Sequence, residues 1–400
     1  MAGLTPVADA LAKVLEGAGP LPEEWVSIGD ADGRVLSRAL VSRRTQPPSD
    51  MSSMDGYAVR AADLPATLPV AGEAAAGRPF AGSMTGGTAI RIFTGAGIPD
   101  GADAVVIQED VSRSGGMVTF RDRPAPGQFI RRKGLDFTEG APALAAGMRL
   151  EPRRLALAAA MNHAAVPVHR RPRVAILSTG DELVEPGTEP GPGQIVSSNA
   201  LALAAIVRRE GGEATLLGIV PDRLDATLAA VRHSRAEGHD ILVTSGGASV
   251  GEHDLMRQVI AEEGAEPSFW KIAMRPGKPL MMANLSGLRL LGLPGNPVAS
   301  FVCATLFLGP LLRRLAGRND ILPIEESAAL GIGLAANDHR QDYLRATLTD
   351  TNGKLVATPF PVQDSSMIRV LAEAEALIVR APHASAAQAG EPCRIIRLAR

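Results

Sequence analysis

The chain has 400 residues, of which 46% are hydrophobic and 21% charged, with a formal net charge of −2. At about 150 residues per domain this is two or three globular domains, which excludes a single small module and a disordered chain. With 41 basic against 43 acidic residues and 3% aromatics, it lacks both the basic excess and the stacking surface of a nucleic-acid-binding protein.

The segment Thr5-Pro6-Val7-Ala8-Asp9-Ala10-Leu11 reads as a helix start, with Thr5 as cap and Pro6 in the first turn; acids and a lysine soon interrupt it, so a helix to Glu16 is expected and not a signal peptide. From about 46 to 138, short β-type runs such as Ala89-Ile90-Arg91-Ile92-Phe93 and Ala104-Val105-Val106-Ile107 alternate with Gly and Pro clusters, which reads as a β-rich insertion domain. A helical pattern returns at Pro152 to Met161. Residues 1–45 and 139–171 are therefore expected to form one discontinuous N-terminal domain around the insertion.

After Arg170-Arg171-Pro172-Arg173 the period changes. The uninterrupted run Val174-Ala175-Ile176-Leu177 precedes a helix from Asn199 to Glu210, a strand from Ala214 to Val220, a helix opened by Asp222, and Ile241-Leu242-Val243. Runs apolar on both faces alternating with helices are the sequence form of βαβ units, so a three-layer α/β domain with a parallel sheet is expected at 172–320. Within it, Leu290-Leu291-Gly292-Leu293 feeds Pro294-Gly295-Asn296-Pro297 and a long apolar helix, with Asn296 as cap and Pro297 in the first turn. The β runs at Leu344–Leu348, Ala376–Val379 and Cys393–Leu398 make 321–400 a small C-terminal β domain. The longest apolar stretch, Ala299 to Leu312, is shorter than the ~20 residues of a membrane span and carries Pro310. Two cysteines, Cys303 and Cys393, give no disulfide framework, and the expected location is the cytoplasm, with no membrane partner.

Ligands of open α/β sheets bind beyond the carboxyl ends of the strands. The first strand ends in Ser178-Thr179-Gly180-Asp181-Glu182, the second is followed by Asp222, the third by Thr244 to Asp254, and the fourth by Pro294 to Pro297. A single acid at such a point is most simply a helix cap; four loaded strand ends together read as a site. Ser245, Gly246, Gly247, Ser249 and Gly251 make the third loop a candidate phosphate or oxyanion cradle, although glycines also make plain tight turns. Lys271, Arg275 and Lys278 put three cations within eight residues of a chain that has only five lysines. Carboxylates would repel an anionic ligand by about 4 kcal/mol per unit-charge pair at 4 Å and an effective dielectric of 20, so a hard divalent cation, magnesium first, is expected between them.

Other templates fare worse. Neither GxGxxG nor GxxxxGK[ST] occurs, and the seven histidines show no zinc spacing. Gly247-Ala248-Ser249-Val250-Gly251 fits a hydrolase nucleophile elbow, which makes Ser249 the nucleophile of an alternative serine hydrolase; the later histidines, His339 and His383, fall in the C-terminal β domain. Cys303, within Phe301-Val302-Cys303-Ala304, reads as a small buried hydrophobe.

At these residues the chain resembles the MoeA-type molybdopterin molybdenumtransferases, the family of the gephyrin C-terminal domain. The matching segments are Ser53 to Arg60, Thr94-Gly95-Ala96 with Ala104 to Glu109, Arg131 to Gly134 with Asp136, Ser178 to Leu183, Thr244 to Asp254, Arg275 to Pro279 and Leu293 to Pro297, in the family's order over nearly the whole chain; Asp342 to Arg345 and Asp364 to Ser366 match in the less similar final 80 residues. The resemblance implies that adenylylated molybdopterin and molybdate are converted to molybdenum cofactor and AMP with a divalent ion, and that 172–320 binds molybdopterin. By matching position it implies that Asp55, Asp136, Glu182 and Asp254 are catalytic, and that Thr94, Arg131, Asp222, Lys271, Arg275, Pro294 and Pro297 bind substrate. Our reading adds Ser245, Gly246, Gly247, Ser249, Gly251 and Lys278 to the binding set, and assigns Asp181, Glu182 and Asp254 to the metal. Arg275 stands where the family usually has lysine. A homodimer with composite sites is also implied, as are other molybdenum cofactor biosynthesis proteins as partners. The alternatives left open are a molybdopterin adenylyltransferase or nucleotide hydrolase built on the same α/β module, and a non-catalytic gephyrin-like scaffold.

Overall fold

The structure, a computed structural model, describes residues 4–246 and 255–398. Its central element follows directly from the apolar runs. Strands β1 (Arg173–Thr179), β2 (Glu213–Val220), β3 (Ile241–Ser245), β4 (Phe269–Lys271), β5 (Pro279–Leu285) and β6 (Leu288–Leu293) form one sheet in the order β2-β1-β3-β6-β5-β4. The first four in that order run parallel, and β5 and β4 are antiparallel additions. Alternate residues of each strand face opposite layers. Ile176, Val243 and Leu291 pack against helices α1 (Asn199–Arg209) and α4 (Pro297–Leu315), whereas Leu177, Leu242 and Leu290 face α2 (Leu224–Ala236) and α3 (Leu255–Glu262). Both layers exclude water at about 1.5–3 kcal/mol per buried large aliphatic side chain.

Helix α4 is long and apolar enough to cross a membrane, but 78% of its most apolar 18-residue stretch is buried in the domain, so it is a core helix. It carries a π-helical segment at Ala304–Leu308 immediately before Gly309-Pro310. Proline has no N–H to give the carbonyl four residues back, and the wider turn absorbs that missing bond.

Residues on either side of the insertion share one core. Glu23–Ser27 pairs antiparallel with Ala165–His169, Leu40–Val41 pairs with Pro142–Leu144, and Leu36, Leu150, Met161, Val166 and Val168 are buried together. The first helix departs from the sequence expectation. Val7–Leu15 buries Ala10 and Val14 in the α/β core and not in the discontinuous domain, and Thr5 exchanges backbone bonds with Lys271 and Ala273 at 2.9 and 2.8 Å. Its periodicity defines an apolar face without defining which core receives it.

The insertion is a six-stranded β sheet with Gly56–Val59 between Ala104–Ile107 and Ala89–Ile92. The C-terminal strands close on themselves through pairing of Gln341–Thr351 with Ala376–Arg380, giving a small barrel. Met274–Arg275, from the α/β domain, joins this barrel as a short parallel strand beside Gln341 and Asp342.

Candidate active site

The strand order places β1 between β2 and β3, so chain connections leave β1 and β3 in opposite directions and a crevice opens at their carboxyl ends. Backbones crowd there. A Cβ on Gly246, whose φ is +97°, would fall 2.3 Å from the Thr179 carbonyl oxygen, and one on Gly295 would fall 3.8 Å from the Gly246 Cα. Only glycine at 246 allows the loops after β1 and β3 to approach this closely, whereas the loop after β6 comes into ordinary contact with them. The Asn199 side chain at the start of α1 ties two of them together, its Nδ2 donating to Ser245 Oγ at 2.8 Å and to the Gly295 carbonyl at 2.7 Å. In the sequence Asn199 reads only as a helix start. Gly247, Ser249, Gly251 and Asp254 lie outside the described residues, as does the hydrolase elbow.

The acids collect on one side of this crevice. The Asp222 N–H donates to Asp181 Oδ1 at 3.2 Å, and the Glu182 carboxylate folds back over Gly180, where an added Cβ would fall 2.5 Å from its oxygen. Desolvation and the carboxylates of Asp181 and Glu182 hold Asp222 above the usual carboxylate range, with no basic side chain offsetting them among the described residues. Uncompensated hard oxygen donors fit a divalent cation. The described residues do not by themselves group three ligands closely enough to hold one; Asp254, the expected third ligand, is outside them.

The cations occupy the other side. Met281 pairs with Gly292 and Lys271 with Pro279, a register that puts the whole 271–279 turn on the carboxyl edge beyond Leu293. Below it, Cys303 Sγ donates to the Gly277 carbonyl at 3.7 Å and burial pushes the thiol pKa up, so Cys303 is an inert buttress. Lys278 is exposed and Lys271 half-buried. Arg275 is also engaged within the protein. Its Nη2 donates to Asp342 Oδ2 and, at 3.4 Å, to Asn337 Oδ1, and its Nη1 lies 3.7 Å from Asp338 Oδ2. Three strand spacings separate β1 from β5, about 14 Å at 4.8 Å each, with the ends of β3 and β6, and so Gly246 and Gly295, between them. Pro294 is buried and Pro297 half-buried at the head of α4.

A second cluster lies in the insertion. Asp55 Oδ1 accepts the N–H and the hydroxyl of Thr94, each at 2.8 Å. These bonds, with Arg91 nearby, hold its carboxyl below the usual range. Arg91 is fixed over Tyr57 and Phe93 and donates to the Gly56 carbonyl at 3.0 Å and to Gln108 Oε1 at 2.6 Å; nothing in the sequence pattern marks it as supporting the site. Arg131 and Asp136 are exposed on the adjoining loop, whose Ile130–Arg131 pairs with Met51–Ser52. Among the described residues no hydrogen bond or ion pair joins Asp55, Thr94, Arg131 or Asp136 to the acids and cations of the α/β edge.

Fold and site define a multidomain α/β protein whose parallel-sheet edge carries acids on one side and cations on the other. Three family descriptions match in chain order: "MoeA N-terminal region (domain I and II)" at residues 5–162, "Probable molybdopterin binding domain" at 175–314 and "MoeA C-terminal region (domain IV)" at 327–398. The molybdopterin molybdenumtransferase of Haemophilus influenzae is 35% identical over 392 residues, covering 96% of each chain. That of a Nostoc species is 41% identical over 304 residues, covering 74% of this chain and 70% of the relative. The crystal structure of the molybdopterin biosynthesis MoeA protein of Pyrococcus horikoshii superposes with a TM-score of 0.85 at 28% identity, covering 99% of this chain and 100% of that one. The chain belongs to the MoeA family of molybdopterin molybdenumtransferases, transferases of molybdenum cofactor biosynthesis.

Proposed function

We propose that this protein inserts molybdate into the dithiolene of adenylylated molybdopterin and releases AMP, acting in the cytoplasm. The observation that carries the reading is the polarity of the sheet edge: acids at the ends of β1 and β2, a glycine cradle at β3 and β6, and cations at the turn between β4 and β5. The cradle's backbone N–H groups suit a phosphate, and Ser245, Pro294 and Pro297 border it. Lys271 and Lys278 carry mobile point charges suited to molybdate and phosphate oxygens, with Arg275 beside them. Asp181, Glu182 and Asp254 would hold magnesium, which when bound neutralises charge on the pyrophosphate. Preorganised charge of this kind stabilises a departing phosphate without a covalent enzyme intermediate.

Asp55 and Asp136, with Thr94 and Arg131, supply the reacting end in this reading. Among the described residues no bond joins them to the α/β edge of the same chain, and we assign them to a homodimer whose two sites each combine the α/β edge of one subunit with the insertion of the other. Membership of the family also favours this activity over a serine hydrolase, a nucleotide hydrolase, an adenylyltransferase or a scaffold, and the charged set a scaffold would not need is intact.

The test is incubation of purified protein with adenylylated molybdopterin, magnesium and molybdate. AMP should appear in step with active cofactor, and both should fail without molybdate. Production of adenylylated molybdopterin from ATP and molybdopterin, with no AMP release on adding molybdate, would replace this reading with the adenylyltransferase.

A further inference from the structure

Arg275 belongs to the cationic turn of the α/β domain, yet its guanidinium is held from the C-terminal barrel. Asp342, only 4% exposed, receives Nη2, and its other oxygen, Oδ1, has no partner. Among the described residues Arg275 donates the side-chain hydrogen bond that Asp342 receives, with Arg340 adding a longer-range attraction, and removing Arg275 would leave a buried carboxylate without its hydrogen-bonded partner at a large desolvation cost. Asp338 lies 3.7 Å from Nη1 but is already engaged by Arg340 at 2.7 Å. The backbones are joined at the same point: Met274–Arg275 pairs with Gln341 and Asp342, the Gln341 N–H donating to the Ala273 carbonyl at 2.9 Å. The Arg275 side chain remains 49% exposed. A guanidinium has five N–H donors in a planar fork, so bonds to Asp342 and Asn337 leave Nε and part of Nη1 unused.

We propose that Asp342 is a positioning residue for the oxyanion subsite. It holds one arm of Arg275 and so fixes the Lys271–Lys278 turn against the C-terminal barrel, while the unused donors of the same guanidinium receive an oxyanion. A lysine ammonium is a point donor and cannot span both tasks in one plane, which gives the arginine at this position its use. The identity of that oxyanion as molybdate rests on the proposed function; the clamp itself does not.

Two variants test the clamp, Asp342→Asn and Arg275→Lys, the second at an exposed position that folding tolerates. In Asp342→Asn, hydrogen exchange at the amide of Gln341, which donates across the joint, should quicken about tenfold, while amides of the α/β core such as Val243 keep their rates. The KM for molybdate should rise about tenfold with kcat changed less than about twofold, as expected for loss of one charge-assisted contact in a subsite. The double variant should be no worse than Arg275→Lys alone, because both act through one guanidinium. Unchanged exchange at Gln341 would overturn the clamp, as would effects of the two substitutions on KM that multiply. A lowered thermal midpoint with unchanged molybdate KM would also overturn it, since Asp342 would then be structural only. If the wild-type protein releases no AMP, the proposed function fails, and the exchange measurement still decides the clamp.

Discussion

Thr94 donates its backbone N–H and its hydroxyl to the same oxygen of Asp55, each at 2.8 Å. Two donors converging on one oxygen favour the ionised carboxylate. With its pKa depressed on folding, Asp55 contributes stability that is present above the ordinary carboxylate range and lost as pH falls through the lowered value. It is therefore charged throughout the neutral range. Thr94→Val keeps the backbone donor and removes the hydroxyl, so turnover should fall about tenfold, and the acid limb of the pH–rate profile should move to higher pH. An unmoved acid limb would show that the limb belongs to another group.

Asp222 behaves in the opposite sense. Its pKa is raised by desolvation and by Asp181 and Glu182, so the folded state favours the protonated form. Stability is lost as pH rises from the unfolded value through the raised one, and the penalty is complete once pH exceeds the raised value. Asp222→Asn should raise the thermal midpoint at pH 7 in a chelator by about 1–3 °C, with the gain disappearing near pH 3. Magnesium should stabilise the wild type more than this variant. A variant that melts lower than wild type at pH 7 without magnesium would contradict the crowded-carboxylate reading.

The strand ends are readable to within two residues because each apolar run gives way to small and then acidic or glycine residues, as after Leu177 and Val243; β1 and β3 continue through the buried Ser178, Thr179, Thr244 and Ser245 before they end. The acidic and glycine-rich edge follows from that alone. The Arg275–Asp342 pair is not readable, since 67 positions and a domain change separate the partners and local pattern carries no information about such contacts. Asn199 misleads for a related reason: a polar residue opening a helix is normally a cap, and its reach across to Ser245 and Gly295 depends on where β3 and β6 end. The strand Phe269–Lys271 escapes because its three residues are too short to show a period.

Gly246 offers a sharp structural test. Its φ of +97° and the 2.3 Å approach of an added methyl carbon to the Thr179 carbonyl leave alanine no room. Gly246→Ala should cost about 1–3 kcal/mol in backbone strain before the clash is counted, and should abolish AMP release even at temperatures where the variant remains folded. Gly187→Ala is the control. Gly187 also has positive φ, +94°, but nothing lies within 4 Å of its added carbon, so it should lose some stability and keep its activity. Equal activity in the two variants would show that the close approach of the loops after β1 and β3 is not required for the site.

Assembly can be tested through the separation of the two clusters. Asp55 lies in the insertion and Glu182 at the α/β edge, with no direct bond between their clusters among the described residues. If each site takes its α/β edge from one subunit and its insertion from the other, homodimers of Asp55→Ala and of Glu182→Ala should both be inactive, because every site carries one defect. In a mixed dimer the defects segregate. One site joins the Glu182-bearing edge of the first chain to the Asp55-bearing insertion of the second and is intact, while the other site holds both substitutions. Two-fold symmetry makes the sites equivalent in the wild type, so a doubly tagged mixed dimer should recover about half of the wild-type activity. Sites completed within single chains would each retain one defect in the same dimer and recover nothing. A mixed dimer as inactive as its parents, isolated with both tags and a normal thermal midpoint, would reject the shared site while leaving the chemistry at each edge in place.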